Sequence, residues 1–344
     1  MASLEEIRSE RLKKLEALLS RGIDPYPSKI ARDMSLAEVH ARFSEFEKKK
    51  NALAIVGRAM AIRGQGAIQF IVLNEDRANF QVVLKNDVLG ESDMLLFKAT
   101  VDIGDFIGFS GELMKTQRGE ESLLAKSWTM VSKSLRPLPE KWHGLKDEEE
   151  KLRLRYIDLL LDDDLRELFI KKSKFWNTIR SFMVAEGFLE VETPVLENTT
   201  GGADARPFKT HHNALDMDVY LRISAGELWQ KRLMVAGFNK VFEIGRIFRN
   251  EGISHEHAQD YTQMECYFAY ANYEDGMKLV ERMYKHVAQE VFGTQKFTIG
   301  EYEVDFEKSW ERYDYAETIK KFTDFNITEK SSDSIMPNLF LNEI

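Results

Sequence analysis

The sequence predicts an α+β protein: an N-terminal helix, a five-stranded β-barrel, and then an antiparallel sheet flanked by helices. Three observations support this. A capped helical pattern opens the chain, strand-like alternation follows, and helical spacing returns from about residue 152 with strand-like runs between the helices. With 344 residues the chain is long enough for two or three domains. The predicted segments are an N-terminal helical extension at 1–50, a barrel at 51–135, a linker at 136–151 and a larger domain at 152–344.

The first element is a helix that begins after Ser3. Ser3 and Glu6 match a capping box, in which each side chain accepts a hydrogen bond from the other residue's backbone N–H. Apolar residues then recur at helical spacing as far as Leu19, and Gly22 can end the helix. The DPYP stretch at 24–27 breaks regular structure, so we expect one amphipathic helix here.

Five β-rich runs follow, with one helical run between the third and the fourth. The β-rich runs are AIVGRAMAIR, AIQFIVLNE, NFQVVLK, FIGFSGELMKT and SLLAKSWTMVSKSL, and the helical run is SDMLLFKA. Five strands with a helix after the third are typical of an OB-fold β-barrel. Such barrels commonly bind oligonucleotides, although the fold alone does not establish that function.

A linker with two prolines leads into the second domain. Its acidic run, DEEE, predicts a solvated helix start. A stripe of large apolar side chains from Leu165 to Met183 then predicts a long helix, which Gly187 closes. The next run, FLEVETPVL, predicts a strand. Because proline is poorly tolerated in a central strand, Pro194 indicates a sheet edge or an interface.

A two-stranded hairpin with a long polar loop follows the helix GELWQKRLMVAGF. Side chains alternate across a strand, so the hairpin has one apolar and one polar face. Two tyrosines among the charges of the polar face indicate a lined pocket, in which Gly245 leaves room for close approach. The apolar face carries Phe242, Ile244, Phe248, Met264, Cys266 and Phe268. The polar face carries Glu243, Gly245, Arg249, Glu251, Tyr261, Gln263, Glu265 and Tyr267.

Composition excludes several classes of protein. The sequence has no run of eighteen apolar residues, so we expect no transmembrane helix, and its charged start is unlike a signal peptide. A single cysteine, Cys266, excludes an internal disulfide and a cysteine-based zinc cluster. We therefore expect a cytoplasmic location. The net charge of −9 is unusual for a nucleic-acid binder, but a local basic groove can lie on an acidic protein.

Several runs resemble one enzyme family. FRNEGISHEHAQDYTQMECY is similar to motif 2 of class II aminoacyl-tRNA synthetases, and RSFMVAEGFLEVETPVL to their motif 1, the dimer-interface helix and strand. Three further runs resemble the lysyl-tRNA synthetases more than the aspartate and asparagine enzymes: RLKKLEALLSRGIDPYP, LRPLPEKWHGLKDEEEKLRLRYIDLL and TGGADARPFKTHHNALDMDVYLRIS. The resemblance extends to about Lys321. It implies that the larger domain is an incomplete class II synthetase antiparallel sheet flanked by helices.

The resemblance implies ATP-dependent ligation of lysine to tRNA(Lys) through a lysyl-adenylate, in a homodimer. The lysine carboxylate attacks the α-phosphate without a general base, so catalysis rests on positioning and charge stabilisation, helped by Mg²⁺. Arg249 would be the catalytic group that binds the α-phosphate. The implied ATP-binding residues are Arg249, Glu251, His257 and Tyr261, which would stack on adenine. The implied amino-acid-binding residues are Gly201, Gly202, Glu227 at the α-ammonium, Glu265 and Tyr267.

In the barrel, Arg63, Phe70 and Gln81 match family positions that hold anticodon bases. Stacking on Phe70 beside an amide hydrogen bond from Gln81 suits an unpaired base. The competing interpretation places Phe70 in the barrel core. An acidic position of the same site corresponds to Glu120 or Glu121, and the sequence leaves both open.

The resemblance also implies segments that this sequence lacks. Motif 3, with a second ATP-binding arginine, the metal-binding acids and the carboxylate for the lysine ε-ammonium are not found before Ile344. We therefore expect an incomplete synthetase: a fragment, a truncated gene model or a frameshifted copy. We also expect that this polypeptide alone does not aminoacylate. Lysine-dependent ATP–pyrophosphate exchange by the purified chain would contradict that expectation.

Two alternative functions stay open at this point. One is a catalytically inactive tRNA-binding paralogue, which the missing motif 3 favours and the retained Arg249, Glu251, His257 and Glu265 disfavour. The other is an aspartate– or asparagine–tRNA ligase, which Glu227 and the linker disfavour.

Overall fold

The computed structural model describes residues 3–64, 66–139, 147–252, 254, 256–323 and 327. The chain divides into two compact units, residues 1–166 and 167–344. The first unit contains α1 (Leu4–Ser20), α2 (Leu36–Ala41), α3 (Phe43–Lys49), α4 (Asn86–Leu89), α5 (Glu91–Thr100), α6 (Glu148–Arg153) and α7 (Arg155–Leu161). Its strands are β1 (Leu53–Arg63), β2 (Ile68–Glu75), β3 (Ala78–Lys85), β4 (Phe106–Lys115) and β5 (Glu121–Ser132).

The five strands of the first unit form a closed barrel in the order β1-β2-β3-β5-β4. All pairs are antiparallel except β3 with β5, which run parallel, and α5 lies between the third and the fourth strand in sequence. Inward-facing side chains such as Ile55, Leu84 and Phe109 are at most 2% exposed. The predicted five-stranded barrel with a helix after its third strand is therefore confirmed.

The N-terminal helix begins and ends as predicted. The backbone N–H of Glu6 donates to Ser3 Oγ at 3.2 Å and that of Ser3 donates to a Glu6 carboxylate oxygen at 2.6 Å, which completes the capping box. Gly22 follows the helix with φ +72°. The buried guanidinium of Arg11 donates to the backbone carbonyl of Ser134 at 3.1 Å, which fixes α1 to the end of β5.

The linker is described only in part, because residues 140–146 lie outside the described residues. Its acidic run starts α6 at Glu148 with exposed side chains, as predicted, and Asp147 caps the helix through a 2.8 Å bond from Glu150 N–H. The predicted domain boundaries stay predictions. The compact units themselves divide between Arg166 and Glu167.

The second unit holds most of α8 (Asp163–Ala185), then α9 (Glu227–Val235), α10 (Tyr273–Val287), a π-helical turn (Ala288–Phe292) and α11 (Tyr315–Thr323). Its strands are β6 (Leu189–Glu190), β7 (Leu196–Glu197), β8 (Lys209–His212), β9 (Met217–Leu221), β10 (Lys240–Phe248), β11 (Asp260–Phe268), β12 (Lys296–Ile299) and β13 (Tyr302–Asp305). They form three sheets in the orders β11-β10-β6, β7-β9-β8 and β12-β13, antiparallel except for β6 with β10. The predicted α+β class is confirmed. Within the described ranges, no helix is long and apolar enough to cross a membrane.

The predicted strand FLEVETPVL is interrupted. It forms β6 and β7, two short edge strands in different sheets, and Pro194 lies between them. A proline has no backbone N–H to donate and cannot continue a ladder, so the chain leaves one sheet before it and joins the other after it. The prediction of an edge is confirmed, and the prediction of one continuous strand is wrong.

A cluster of buried side chains from α8, β10 and α10 forms the core of the second unit. Ile179 and Met183 from α8 pack with Phe242, and Ile244, Met264 and Cys266 of the apolar hairpin face pack against them. The apolar stripe predicted from Leu165 to Met183 is not buried along its whole length. Near its start, Leu168 is 58% exposed.

Two residues of the predicted apolar face lie outside that core. Phe248 is at the loop end of the hairpin, where Arg246 and Asp260 share its face as an exposed ion pair. Phe268 is 38% exposed and lies against the ammonium of Lys240, which is 4.3 Å from the ring centroid. The apolar face therefore ends before both ends of the hairpin.

Candidate active site and nucleic-acid interface

The polar face of the β10–β11 hairpin has the register that alternation predicts. Glu243 is the direct cross-strand partner of Glu265, and Gly245 is the partner of Gln263. Direct partners in an antiparallel pair point to the same side, so these residues share a face. Two buried apolar residues also lie on it, Val241 and Ile247, both 0% exposed. The face is therefore a partly buried wall rather than a solvated surface.

Arg222, at the end of β9, occupies the space that Gly245 leaves. A Cβ at Gly245 would lie 2.1 Å from Arg222 Nη2. The guanidinium is 2% exposed and pairs with Glu243, which is 4% exposed and also accepts a 2.6 Å hydrogen bond from Thr193 Oγ1. The prediction that Gly245 gives a ligand close approach is wrong, because an arginine of the chain itself fills that space. Glu243 is likewise committed to this internal pair.

Glu227, Glu265 and the Gly201–Gly202 loop come together at the start of α9. Glu265 accepts a 3.0 Å bond from Ala225 N–H, immediately before the helix. A Cβ at Gly202 would lie 2.4 Å from Glu227 Oε2, and Gly202 has φ +90°, so only glycine fits here without strain. The structure thus brings these four predicted amino-acid-site residues together in one acidic cluster, called the acidic pocket below.

The carboxylates of this pocket influence one another. Burial raises the pKa of Glu265, and the nearby charges of Glu227 and Glu243 raise it further. The hydrogen bond from Ala225 N–H lowers the pKa but does not cancel these effects. Burial, and then the charge of Glu227, also raise the pKa of Tyr267. This pocket therefore disfavours additional negative charge and suits a cation.

Arg249 follows β10 directly and lies beside Tyr261. Its guanidinium carbon is 5.6 Å from the Tyr261 ring centroid, and its Nε donates to the carbonyl of Ile223 at 3.4 Å. Its backbone N–H donates to Gln259 at 2.8 Å, which fixes the start of the loop. The predicted phosphate-binding arginine and adenine-stacking tyrosine are therefore neighbours.

Two other predicted ATP-site residues stand apart from Arg249. His257 is exposed and its Nδ1 lies 2.6 Å from Ser254 Oγ. Glu251 is half-buried, and its backbone carbonyl accepts a 2.9 Å bond from the Gln259 side chain. No side-chain contact joins either residue to Arg249 in the part of the chain that the structure describes. His255 lies outside the described residues.

Three side chains of the site were missed by sequence reasoning. Arg222 and Thr193 form the buried network under Glu243, and nothing in the sequence marks that long-range pairing. Lys231 Nζ lies 2.5 Å from Glu227 Oε1, and this contact could have been predicted from the i,i+4 spacing on α9. The ammonium of Lys231 thus already contacts one oxygen of Glu227, the carboxylate that the resemblance assigns to the α-ammonium of lysine.

The first unit has a groove on its barrel with a volume of about 700 Å³. Arg63, Phe70 and Gln81, the three predicted anticodon-binding residues, all line it. Phe70 is 36% exposed, so the core interpretation of this residue is wrong, and Gln81 Nε2 donates to Ser122 Oγ at 2.8 Å. The groove thus combines an exposed aromatic ring with polar and cationic side chains, as single-stranded nucleic-acid sites do.

The two candidates for the acidic position, Glu120 and Glu121, lie in different surroundings. Glu120 lines the groove. The carboxylate of Glu121 instead lies 3.5 Å from His40 Nδ1. Of the two carboxylates, that of Glu120 therefore belongs to the groove.

Within the described ranges, no group of three or more His, Cys, Asp or Glu residues could hold a metal ion. The residues that the structure describes thus do not form a site for the Mg²⁺ that the resemblance implies, and we assign no step to a metal ion.

Comparisons with known proteins agree with both units. The model for class II tRNA synthetases (D, K and N) matches residues 147–336, and the model for the anticodon OB-fold nucleic acid binding domain matches residues 53–131. The chain is 42% identical to the lysine–tRNA ligase of Staphylococcus epidermidis over 330 residues, 94% of this chain and 66% of that enzyme. It is 45% identical to that of Dehalococcoides mccartyi over 322 residues, 92% of this chain and 64% of that enzyme. It is 41% identical to that of Thermotoga maritima over 340 residues, 98% of this chain and 68% of that enzyme. The chain thus spans about two thirds of the length of these relatives.

Proposed function

This chain belongs to the class II tRNA synthetases of the D, K and N type, and on that basis we propose that it serves the ATP-dependent ligation of lysine to tRNA(Lys). The choice of lysine is supported by the lysine–tRNA ligases that share 41–45% identity with the chain, and the observation that carries the binding of an ammonium group is the acidic pocket at the start of α9. Glu227 and Glu265 are close enough there for their charges to repel, Arg222 is held by Glu243, and Lys231 contacts one oxygen of Glu227. A substrate that brings an ammonium group would relieve the repulsion between these carboxylates.

The chain's own groups support the activation step through positioning and charge. In the proposal, Glu227 binds the α-ammonium of lysine and Gly201–Gly202 cover it. The lysine carboxylate, already a nucleophile, attacks the α-phosphate of ATP, and pyrophosphate leaves. Arg249 contacts the Ile223 carbonyl and the Tyr261 ring, and in the proposal it stabilises the charge that develops on that phosphate. Tyr261 would offer its other face to adenine.

A buried side-chain oxygen without a hydrogen-bond donor also favours a bound substrate. Gln263 Oε1 is buried and has no hydrogen-bond donor among the residues that the structure describes. It belongs to the polar hairpin face, two residues from Glu265. A buried acceptor without a partner costs free energy, so a donor from the substrate would be favoured there. We propose this contact as part of the same pocket.

The lysine proposal is tested by calorimetric titration of the purified chain with L-lysine, L-aspartate and L-asparagine. We expect heat of binding for lysine and none for the other two. The carboxylates of Glu227 and Glu265 repel the acidic side chain of aspartate, and the neutral amide of asparagine brings no positive charge to pair with them. Preferential binding of aspartate or asparagine would overturn the choice of amino acid.

The groove of the first unit supports recognition of unpaired anticodon bases. Phe70 would stack on a base, Gln81 would hydrogen-bond to it, and Arg63 would meet the backbone. Replacing Phe70 by alanine is expected to weaken tRNA(Lys) binding by about 1–3 kcal/mol, the usual value of one base–aromatic stack. Filter binding measures this. The matched control is Leu95→Ala, also exposed but outside the groove lining, which should leave the affinity unchanged.

We also propose a cytoplasmic homodimer. The segment that resembles motif 1 leaves apolar side chains uncovered, among them Val184 at 54% and Leu196 at 49% exposure. Exposed apolar groups concentrated on one segment favour a protein partner there. Sedimentation equilibrium of the purified chain measures the oligomeric state.

A further inference from the structure

A second cavity on the first unit, of about 240 Å³, is lined by three arginines, Arg32, Arg58 and Arg166. Two acidic residues, Glu75 and Asp76, also line it. Three guanidinium groups against two carboxylates leave one positive charge. The cavity is distinct from the groove that holds Phe70 and Gln81, because the two share no lining residue.

Both carboxylates of this cavity are already engaged. Glu75 pairs with Arg32 through one oxygen, and its other oxygen accepts the backbone N–H of Leu36 at 2.8 Å. Asp76 pairs with Arg166. Two of the three arginines are therefore neutralised by residues of the chain itself.

Arg58 is the arginine that remains. Its guanidinium carbon lies 4.4 Å from the centroid of the Phe106 ring, and the side chain is half-buried. No carboxylate pairs with it among residues 3–64, 66–139 and the later described ranges. Burial lowers the pKa of this guanidinium, which reflects the loss of hydration. A partly dehydrated cation without an anion is unfavourable, so an anionic ligand would be stabilised here.

The cavity lies along the same two strands as the groove. Arg63 on β1 lies opposite Phe70 on β2, at the groove end of the two strands. Arg58 comes five residues earlier on β1 and lies opposite Asn74 of β2. Five residues of strand span about 17 Å. A nucleic-acid strand whose bases occupy the groove could therefore reach the cavity with its backbone.

We propose that this cavity binds a backbone phosphate of the tRNA whose anticodon occupies the groove, with Arg58 as the charged donor. The inference rests on the proposed tRNA binding and adds a phosphate subsite outside the base-reading groove. The planar guanidinium, held against Phe106, suits an oxygen-rich phosphate. Arg32 and Arg166 neutralise Glu75 and Asp76, so these two carboxylates do not cancel the charge of Arg58.

The test is the salt dependence of tRNA(Lys) binding by the purified chain and its Arg58→Gln variant. Loss of one phosphate contact should reduce the slope of log K against log[salt] by about 0.7–0.9 and weaken binding about five- to eightfold at 0.1 M salt. Arg58→Lys should keep the slope. The matched control, Arg8→Gln, removes the same charge from exposed α1 and should change neither quantity. An unchanged slope in Arg58→Gln, or the same change in Arg8→Gln, would overturn the proposal.

A second variant leaves Arg58 in place. Asn74→Glu puts a carboxylate directly opposite Arg58 on β2, where it can pair with the guanidinium. This variant should lower the salt slope as Arg58→Gln does, and a melting temperature like that of the wild-type chain would show that the barrel is intact. A slope like the wild type's in both variants rejects the subsite. Failure of the wild-type chain to bind tRNA at all would instead reject the proposed function, and the subsite with it.

Discussion

Replacing Arg222 by leucine is expected to destabilise the second unit by about 3–5 kcal/mol, because the change leaves Glu243 buried and charged without its partner. The guanidinium also donates to the backbone carbonyls of Arg246 at 2.9 Å and Thr193 at 3.3 Å and to Thr193 Oγ1 at 3.2 Å, so with Glu243 four acceptors lose their donor. Burial already raises the pKa of nearby Glu197, and Arg222 opposes that shift, so a second acid is affected. Hydrogen exchange of the β10 and β11 amides in the whole chain measures the loss.

Two companion variants separate burial from charge. Arg282→Leu removes an exposed ion pair with Glu186 in the same unit and should cost no more than about 1 kcal/mol. The double variant Arg222→Leu/Glu243→Leu removes both buried charges and should regain much of the lost stability. A cost for Arg222→Leu no larger than that for Arg282→Leu would contradict the account of this pair.

Replacing Glu265 by glutamine is expected to change stability and lysine affinity in opposite directions. Glutamine keeps an acceptor for the Ala225 N–H, but it removes a charge that burial and Glu227 disfavour, so the chain should be more stable at pH 7. The same change removes an attraction for the ammonium of lysine. We expect affinity to fall at least about thirtyfold, or about 2 kcal/mol. Thermal melting and calorimetry measure the two effects.

The pH dependence of Glu265 follows from the direction of its shift. Its pKa in the folded chain lies above the ordinary value, because burial favours the neutral acid. Protonated Glu265 therefore contributes its full stabilisation to the folded chain below the ordinary carboxylate pKa. This stabilisation is lost as the pH rises through the pKa that Glu265 has in the folded chain. Lysine affinity has the opposite trend and falls as the pH is lowered through that folded value. Lysine affinity that does not change with pH in this window would contradict a role for the Glu265 carboxylate.

Local patterns in the sequence predicted most of the fold. Period-two alternation identified the five barrel strands and both hairpin faces, and the Ser3–Glu6 spacing identified the first helix. The sequence alone could not show that Pro194 splits its strand between two sheets, because that depends on which strands are free to pair. The ends of the apolar hairpin face were also misjudged, since Phe268 is 38% exposed and lies against the Lys240 ammonium.

The candidate site was predicted by residue type but not by partner. Resemblance placed Glu227, Glu265 and Arg249, and the structure groups the first two in one pocket. The resemblance could not show that Arg222 occupies the space above Gly245, because the two residues belong to different parts of the chain and their contact depends on packing. Likewise, the choice between Glu120 and Glu121 depends on packing, because Glu120 precedes β5 and lines the groove, whereas Glu121 begins β5 and lies beside His40.

The most direct test of the central claim is a crystal structure of the purified chain grown with saturating L-lysine and ATP. The account predicts that the lysine α-ammonium lies about 3 Å from a Glu227 carboxylate oxygen, with Arg249 at the α-phosphate. Lysine bound elsewhere, or the pocket at the start of α9 without lysine at a saturating concentration, would contradict it.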